Sequence, residues 1–230
     1  MTDLHTHILP GMDDGARSVE EALKMLQTQI QQGVDTVALT PHYYGREESI
    51  KSFLARREAA YRKLARAAEG KPHPEMVLGA EVTWMPDMVE WQEIEKLCYQ
   101  KTRVLLVELP MTPWTDVTFQ QLYGLEGRWG LLPMIAHLDR YLHNQGENNI
   151  QRLLDTGYPF QISTEVLAHP FRNWRAMNLL KYGDAILISD CHNMDDRRPN
   201  LGSAVALVSK KLGSRVADQL AAISEEILIY

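Results

Sequence analysis

Cysteine is scarce in this 230-residue chain, which carries two, Cys98 and Cys191, far apart in sequence. Two cannot build a disulfide framework or a cysteine-rich zinc module, and such usage fits a reducing cytosol. Excess positive charge is missing too. Thirty acidic residues against 24 basic ones leave a net charge of −6, which disfavours general nucleic-acid binding. Long apolar runs are absent. The longest strand-like one, Val104-Leu105-Leu106-Val107, falls far short of the ~20 residues of a membrane span. Asp3 and His5 stand where a signal peptide would be basic and then apolar, so the sequence reads as soluble and cytoplasmic. Neither a short internal repeat nor a Gly/Ser linker is present. What remains is ordinary globular chemistry, 45% hydrophobic and 23% charged, enough for a core without staples. Length alone allows one large domain or two small ones.

Short apolar runs alternate with helical patterns. Seven runs read as strands: Thr2–His7, Asp35–Thr40, Met76–Val82, Arg103–Leu109, Leu132–His137, Phe160–Ser163 and Ala185–Asp190. Several are nearly continuous in apolar residues, as strands buried on both faces should be. Between them lie helical patterns at Ser18–Gln32, Glu47–Glu69, Met88–Tyr99, Asp116–Glu126, Asn149–Asp155, Trp174–Tyr182, Leu201–Leu212 and Arg215–Ile227. In the first, Val19, Ala22, Leu23, Leu26 and Ile30 recur at helical spacing behind a Ser18/Glu21 capping box, and Gly33 marks the exit. Regular β-then-α alternation predicts an α/β fold with a parallel sheet, either open and doubly wound or closed as a barrel.

Polar residues that interrupt buried strands need a reason, because an unpaired buried polar group is costly. Here they gather at the C-terminal ends. His5 and His7 end the first run and Asp14 follows in its loop. His42 follows the second, Glu81 ends the third, Glu108 the fourth and His137 the fifth. Asp190 ends the seventh, with His192 two residues on. In an α/β barrel this is the face where sites are built. Histidines and carboxylates together are the donor set for zinc, manganese or iron. His5 and His7, two apart on a strand, point to one side. Any one of these histidines taken alone is more often a satisfied polar group, and Glu81 or Glu108 alone more often half of an ion pair. Nine at successive strand ends are not coincidence. His73, His143 and His169 fall outside the pattern and receive no role.

Arg140 follows His137 by three residues and Arg197 follows His192 by five. A guanidinium fork beside a metal cluster suits a phosphate oxygen pair, although either could instead pair with Asp139, Asp195 or Asp196. Cys191 through Arg197 fits the C-x5-R spacing of cysteine-dependent phosphatases. That loop holds no glycine and places Asp195 and Asp196 where phosphate would sit, so the match reads as accidental.

The opening Asp3-Leu4-His5-Thr6-His7-Ile8-Leu9-Pro10-Gly11-Met12-Asp13-Asp14-Gly15-Ala16 closely resembles that of the polymerase-and-histidinol-phosphatase (PHP) superfamily. Within it, the resemblance is to the manganese-dependent protein tyrosine phosphatases of bacterial capsular and exopolysaccharide loci. It continues through Thr40-Pro41-His42-Tyr43, Gly79-Ala80-Glu81-Val82, Val107-Glu108-Leu109-Pro110, Ala136-His137-Leu138-Asp139-Arg140-Tyr141 and Ser189-Asp190-Cys191-His192-Asn193, in order, from residue 3 to about 200. The chain departs from the family at Leu138, where proline is common, and in being somewhat shorter.

The resemblance implies one domain over residues 1–230, a distorted (β/α)7 TIM-like barrel, and three divalent metals, manganese first, with zinc or iron as alternatives. One metal would take His5, His7, Glu81 and Asp190. A second would share Glu81 and add Glu108 and His137. The third would take Asp14, His42 and His192. Glu108 stands where other branches place a histidine, which favours the tyrosine phosphatase branch. Arg140 and Arg197 would hold phosphate, with Arg198 the alternative if the register after His192 slips. The implied reaction is hydrolysis of phosphotyrosine by a metal-activated hydroxide. The implied substrate is a phosphotyrosine protein, a bacterial tyrosine autokinase that controls polysaccharide export. The competing enzyme reading is a small phosphate monoester such as histidinol phosphate. A barrel retired to binding alone would have lost ligands, and none is lost.

Overall fold

The computed structural model describes residues 1–168 and 173–230. His169 lies outside the described residues. The apolar runs become nine strands among the described residues: β1 Thr2–Thr6, β2 Thr36–Leu39, β3 His42–Tyr43, β4 Glu75–Leu78, β5 Glu81–Thr83, β6 Val104–Glu108, β7 Leu132–Ile135, β8 Phe160–Ser163 and β9 Ala185–Ile188. The helices are α1 Val19–Gln31, α2 Ile50–Ala68, α3 Asp116–Trp129, α4 Glu147–Leu154, α5 Thr164–Ala168, α6 Asn173–Leu179, α7 Leu201–Leu212 and α8 Ser214–Ile227. Every strand pairing is parallel, in two sheets ordered β1-β2-β4 and β3-β5-β6-β7-β8-β9. The expected parallel α/β class is therefore met. None of the described helices is long and apolar enough to cross a membrane.

Local chemistry sets the helix ends. Ser18 Oγ accepts the Glu21 amide at 3.2 Å, and Ala22, Met25, Leu26 and Gln29 bury the inner face of α1. Helix α3 starts at a Thr115/Thr118 capping box and stops at Gly130, whose φ of 60° suits glycine. Most buried side chains lie between strands and helices. A smaller apolar cluster takes Leu4, Ala38, Leu106, Met134 and Ile186 from different strands and Ile227 from α8. Each such Leu, Ile or Met, fully buried, is worth roughly 1.5–3 kcal/mol relative to exposure.

Seven expected strands appear as nine because β3 forms beyond the end of the second run and the third run is interrupted. Pro41 has no N–H and separates β2 from β3. The third run breaks between β4 and β5 at Gly79-Ala80, where Gly79 sits tight against Tyr99 and Thr40. The neighbours stay joined across both breaks: Gly79 N donates to Leu39 O at 2.9 Å and Glu81 N to Pro41 O at 3.1 Å. The two sheets also meet at the other side, where Asp190 N donates to His5 O at 3.1 Å and His7 N to Cys191 O at 2.9 Å.

The helix expected over Met88–Tyr99 does not form. Two turns of 3-10 helix, Met88–Glu90 and Ile94–Leu97, take its place. Glu93 adopts a left-handed φ of 68° between them. Side chains from elsewhere satisfy the backbone that an α-helix would have paired internally. Gln121 Oε1 accepts from Val89 N at 3.0 Å, and the Trp129 indole donates to Val89 O at 2.8 Å. Tertiary partners thus replace the helical ladder.

Gly15 fixes the loop after β1. A Cβ there would meet His7 O at 2.1 Å and His7 Cβ at 2.5 Å. Gly15→Ala should therefore cost about 1–3 kcal/mol by overpacking, which for a chain this size lowers the thermal midpoint by roughly 2–10 °C. Gly127→Ala is the control: its added Cβ meets nothing within 4 Å, it lies inside α3, and it should be neutral or slightly stabilising. Equal midpoints for the two variants would refute the close approach.

Candidate metal centre

All nine strand-end residues converge. Each has a donor atom within 3.6 Å of another member. Glu81 is central. Its Oε2 lies 3.2 Å from His5 Nε2, 3.3 Å from His7 Nε2 and 2.9 Å from His42 Nδ1, and its Oε1 lies 2.8 Å from His137 Nε2. His137 Nε2 is also 3.6 Å from Glu108 Oε1. At the other flank Asp14 Oδ1 is 3.6 Å from His42 Nε2 and 3.4 Å from His192 Nε2. Asp190 Oδ1 is 3.6 Å from His5, His7 and His192.

The donors form three overlapping groups: His7, Asp14, His42 and His192; His5, His7 and Glu81; His42, Glu81 and Glu108. These overlap the sets implied by resemblance and differ in where His7 and His42 fall and in leaving out His137 and Asp190.

Backbone strain accompanies two of these residues. The strands end earlier than expected, and His137 and Asp190 lie just beyond β7 and β9 with φ of 31° and 52°. A left-handed non-glycine residue typically costs ~1–3 kcal/mol and persists where surrounding contacts enforce it.

Two orienting residues were not anticipated. Asp13 Oδ2 accepts from His7 Nδ1 at 2.7 Å and from His42 N at 2.9 Å, while its Oδ1 accepts from Gly15 N at 3.0 Å. Gln161 Oε1 accepts from His5 Nδ1 at 2.7 Å. The one signal for Gln161 was a polar side chain inside the apolar run Phe160–Ser163. Asp13 was masked by its neighbour Asp14. These bonds fix the tautomers: with Nδ1 donating, Nε2 of each ring presents a lone pair. His192 is set the same way, its Nδ1 donating to Asp190 O at 2.9 Å.

The arrangement fits metal ions on three counts. First, His5 Nε2 and His7 Nε2 face each other at 3.1 Å, two lone pairs that need a proton or cation between them. Second, His137 Nδ1 and His192 Nε2 are buried without a hydrogen-bond partner, which is costly unless something else binds them or their rings. Third, the buried carboxylates of Asp13, Glu81 and Asp190, with half-buried Glu108 and exposed Asp14 beside them, face the two guanidiniums of Arg140 and Arg197. Buried charge of one sign demands cations.

Without metal the histidines carry that burden. Burial opposes a charged His7, but the hydrogen bonds and charges of Asp13 and Glu81 overrule it and push the ring up to about 10. Burial, joined by the His7 charge, pushes His192 down to about 3. Burial would raise Glu81, yet the His5 charge and bonds from His137 and His42 hold it well below the usual range.

The arginines both grip Asp190. Arg140 Nη2 and Arg197 Nη2 reach Asp190 Oδ2, the latter at 2.8 Å, and Arg197 Nη1 lies 3.9 Å from Asp14 Oδ2. Their ion-pair partner is thus Asp190 rather than Asp139, Asp195 or Asp196. Arg198 is exposed. Cys191 is fully buried behind the site, and burial pushes its thiol well above the ordinary value. His73 bonds the neighbouring Pro74 O, away from the cluster.

The sequence profile for capsular polysaccharide synthesis proteins of the CpsB/CapC type matches residues 1–229. The chain belongs to the CpsB/CapC family. The chain is 30% identical to the tyrosine-protein phosphatase CpsB of Streptococcus pneumoniae, over 96% of its own length and 94% of that protein's. It is 28% identical to the tyrosine-protein phosphatase YwqE of Bacillus subtilis, covering 99% and 91%. Crystal structures of YwqE and CpsB, described as unique metal-dependent tyrosine phosphatases, share its fold. The superposition has a TM-score of 0.84 at 24% identity, over 99% of this chain and 94% of that one.

The raised His7 gives a pH signature. Its folded value of about 10 exceeds the unfolded value near 6.5. The charged ring therefore stabilises the metal-free fold fully below pH ~6.5 and progressively less as pH rises toward 10. Chelator-treated protein should lose thermal stability between about pH 7 and 10, and Asp13→Asn should flatten that slope. Adding a divalent metal should raise the midpoint more at high pH, since a ligating imidazole must shed its proton. Melts across pH with and without metal check both. Calorimetry in two buffers reads the proton release. A flat metal-free profile would contradict the assignment of His7.

Proposed function

We propose that this chain is a metal-dependent protein tyrosine phosphatase acting on phosphotyrosine proteins. The single observation behind the reading is the convergence of nine donors in one cluster, four imidazoles of them around Glu81, beside two guanidiniums held on Asp190. The finer proposals are these. The two sheets close as a distorted (β/α)7 barrel in one domain over residues 1–230. Three divalent cations, manganese first, are held by His5, His7, Asp14, His42, Glu81, Glu108, His137, Asp190 and His192. The chain acts in the cytoplasm, and its substrate is a bacterial tyrosine autokinase that governs polysaccharide export.

Bound divalent cations would supply Lewis-acid charge and lower the pKa of water. The chain's own groups do the rest. Gln161 and Asp13 orient His5 and His7, with Nε2 turned to the cluster. Glu81 sits between four imidazoles and so lies where one carboxylate can serve two cations. Arg140 and Arg197 stand at the partly exposed edge and offer N–H pairs to phosphate oxygens. Water attack on phosphorus releases inorganic phosphate and the tyrosine phenol. That phenolate is a better leaving group than an alkoxide, because its conjugate acid has a pKa near 10.

Chelation should abolish hydrolysis of a phosphotyrosine peptide and added manganese should restore it. Glu81→Ala should be among the most damaging single changes. Cys191→Ser should keep most of the rate, because a buried neutral thiol is no nucleophile. A folded, metal-loaded Cys191→Ser protein without activity would restore the cysteine mechanism.

Arg140→Ala and Arg197→Ala should each lose a charge-assisted contact of ~1.5–3 kcal/mol, roughly ten- to a hundredfold in kcat/KM. Lysine should rescue only partly. Arg198→Ala should stay near wild type. Both inner variants should also lower the metal-free melting midpoint, because each removes a partner of buried Asp190. Full activity in Arg140→Ala and Arg197→Ala would leave the phosphate to the metals alone. Comparing phosphotyrosine peptide with histidinol phosphate tests the substrate class.

A further inference from the structure

The cluster is sealed on most sides. His5, His7, Glu81, His137, Asp190 and His192 are all buried, so a substrate must approach over the exposed edge, where Asp14, Arg197 and His42 lie. Tyr44 stands on that edge. Its ring stacks on the imidazole of His42, with centroids 5.3 Å apart and planes 25° from parallel. It is 39% exposed, whereas the adjacent Tyr43 is buried between Phe53 and Trp91. Among the described residues, the other tyrosine in ring contact with a cluster histidine is Tyr141, which is fully buried. Tyr44 is thus an exposed aromatic surface next to the cluster.

The stack fixes its orientation. His42 stacks against the phenol ring, and over a third of the residue stays exposed. His42 itself is anchored: Asp13 accepts from its backbone N–H at 2.9 Å and Asp14 Oδ1 lies 3.6 Å from its Nε2. Arg197 reaches the same Asp14 from the other side. A phosphoryl group between guanidinium and cluster would carry its ester substituent at an edge where Tyr44 lies one ring from His42. A flat aromatic substituent gains an offset-stacked or edge-to-face partner there, and an alkyl one does not.

We propose that Tyr44 is a specificity residue, an aromatic wall that favours aryl over alkyl phosphate monoesters by packing against the ring next to the phosphate. This rests on the phosphatase reading of the same site. Tyr44 takes no part in the chemical step; it acts on which ester binds.

The test uses metal-loaded full-length protein and separates binding from chemistry. Phenylphosphonate and methylphosphonate present the same anion with and without a ring, and their affinities are measured by calorimetry. Wild type should favour phenylphosphonate. Tyr44→Ala should lose roughly three- to tenfold of that preference, as expected for one aromatic pair, with methylphosphonate binding unchanged. Tyr44→Phe should retain the preference, since the ring and not the hydroxyl carries it. In hydrolysis of phenyl phosphate and O-phosphoserine, Tyr44→Ala should raise KM for the aryl ester while kcat holds.

An equal loss for both phosphonates would overturn the proposal and make Tyr44 a mere support for His42. So would an absence of ring preference in wild type. If wild type hydrolysed neither ester, the phosphatase reading would fall, while the phosphonate comparison would still decide the role of Tyr44.

Discussion

Glu81 brings its carboxylate within 3.3 Å of four imidazoles, and much of the molecule is arranged to make that crowding tolerable. Four neutral rings with lone pairs aimed at one anion would be repulsive. In the metal-free chain, protons drawn onto His7 relieve the repulsion. Divalent cations would relieve it better, because one double charge replaces several protons and satisfies several lone pairs at once. The cost of assembling the cluster is met elsewhere, by apolar burial around it and by the bonds that hold each ring.

Those bonds link the site to the core. His5 leans on Gln161, whose amide lies 3.5 Å from the Tyr99 hydroxyl; that hydroxyl in turn donates to Leu4 O at 2.7 Å. His7 leans on Asp13, which also ties down Gly15 and His42. A donor set on loops alone would relax outward under its own charge. Here strand ends, a glycine-tightened loop and buried polar partners keep the rings where folding put them. The strained backbone at His137 and Asp190 belongs to the same economy: both residues leave their strands in a left-handed turn and come to lie in the cluster.

The parallel α/β alternation and the strand-end donors were legible in the sequence because period and residue type carry them directly. Spacing at strand ends needs no knowledge of side-chain rotamers. The failures have a common cause in tertiary contact. Met88–Tyr99 has a helical pattern, yet Gln121 and Trp129 claim its backbone, and no local signal announces partners so distant in sequence. Asp13 and Asp14 are adjacent acids with opposite tasks, decided only by where the loop turns. Arg197 and Arg198 differ likewise: the turn that bonds His192 N to Arg197 O sends one side chain to Asp190 and leaves the other exposed. Tyr44 was passed over beside His42 because an aromatic residue in a loop says nothing of the ring beneath it.

Asp190 carries the argument from cluster to substrate. Its two oxygens face different ways. Oδ1 looks toward His5, His7 and His192, each at 3.6 Å. Oδ2 holds Arg140 and Arg197. One buried carboxylate thus sets the distance between the donor cluster and the two guanidinium forks. A guanidinium free in solution would have to be ordered when substrate arrives, at an entropic cost. Tethered to Asp190 beforehand, both forks are already oriented, so in the proposed reading a phosphate dianion at the edge would compete for N–H groups that a neutral ligand could not draw away. Charge placed at the floor of the site in this way would discriminate by ligand charge, and the ring of Tyr44 at its rim would add discrimination by shape.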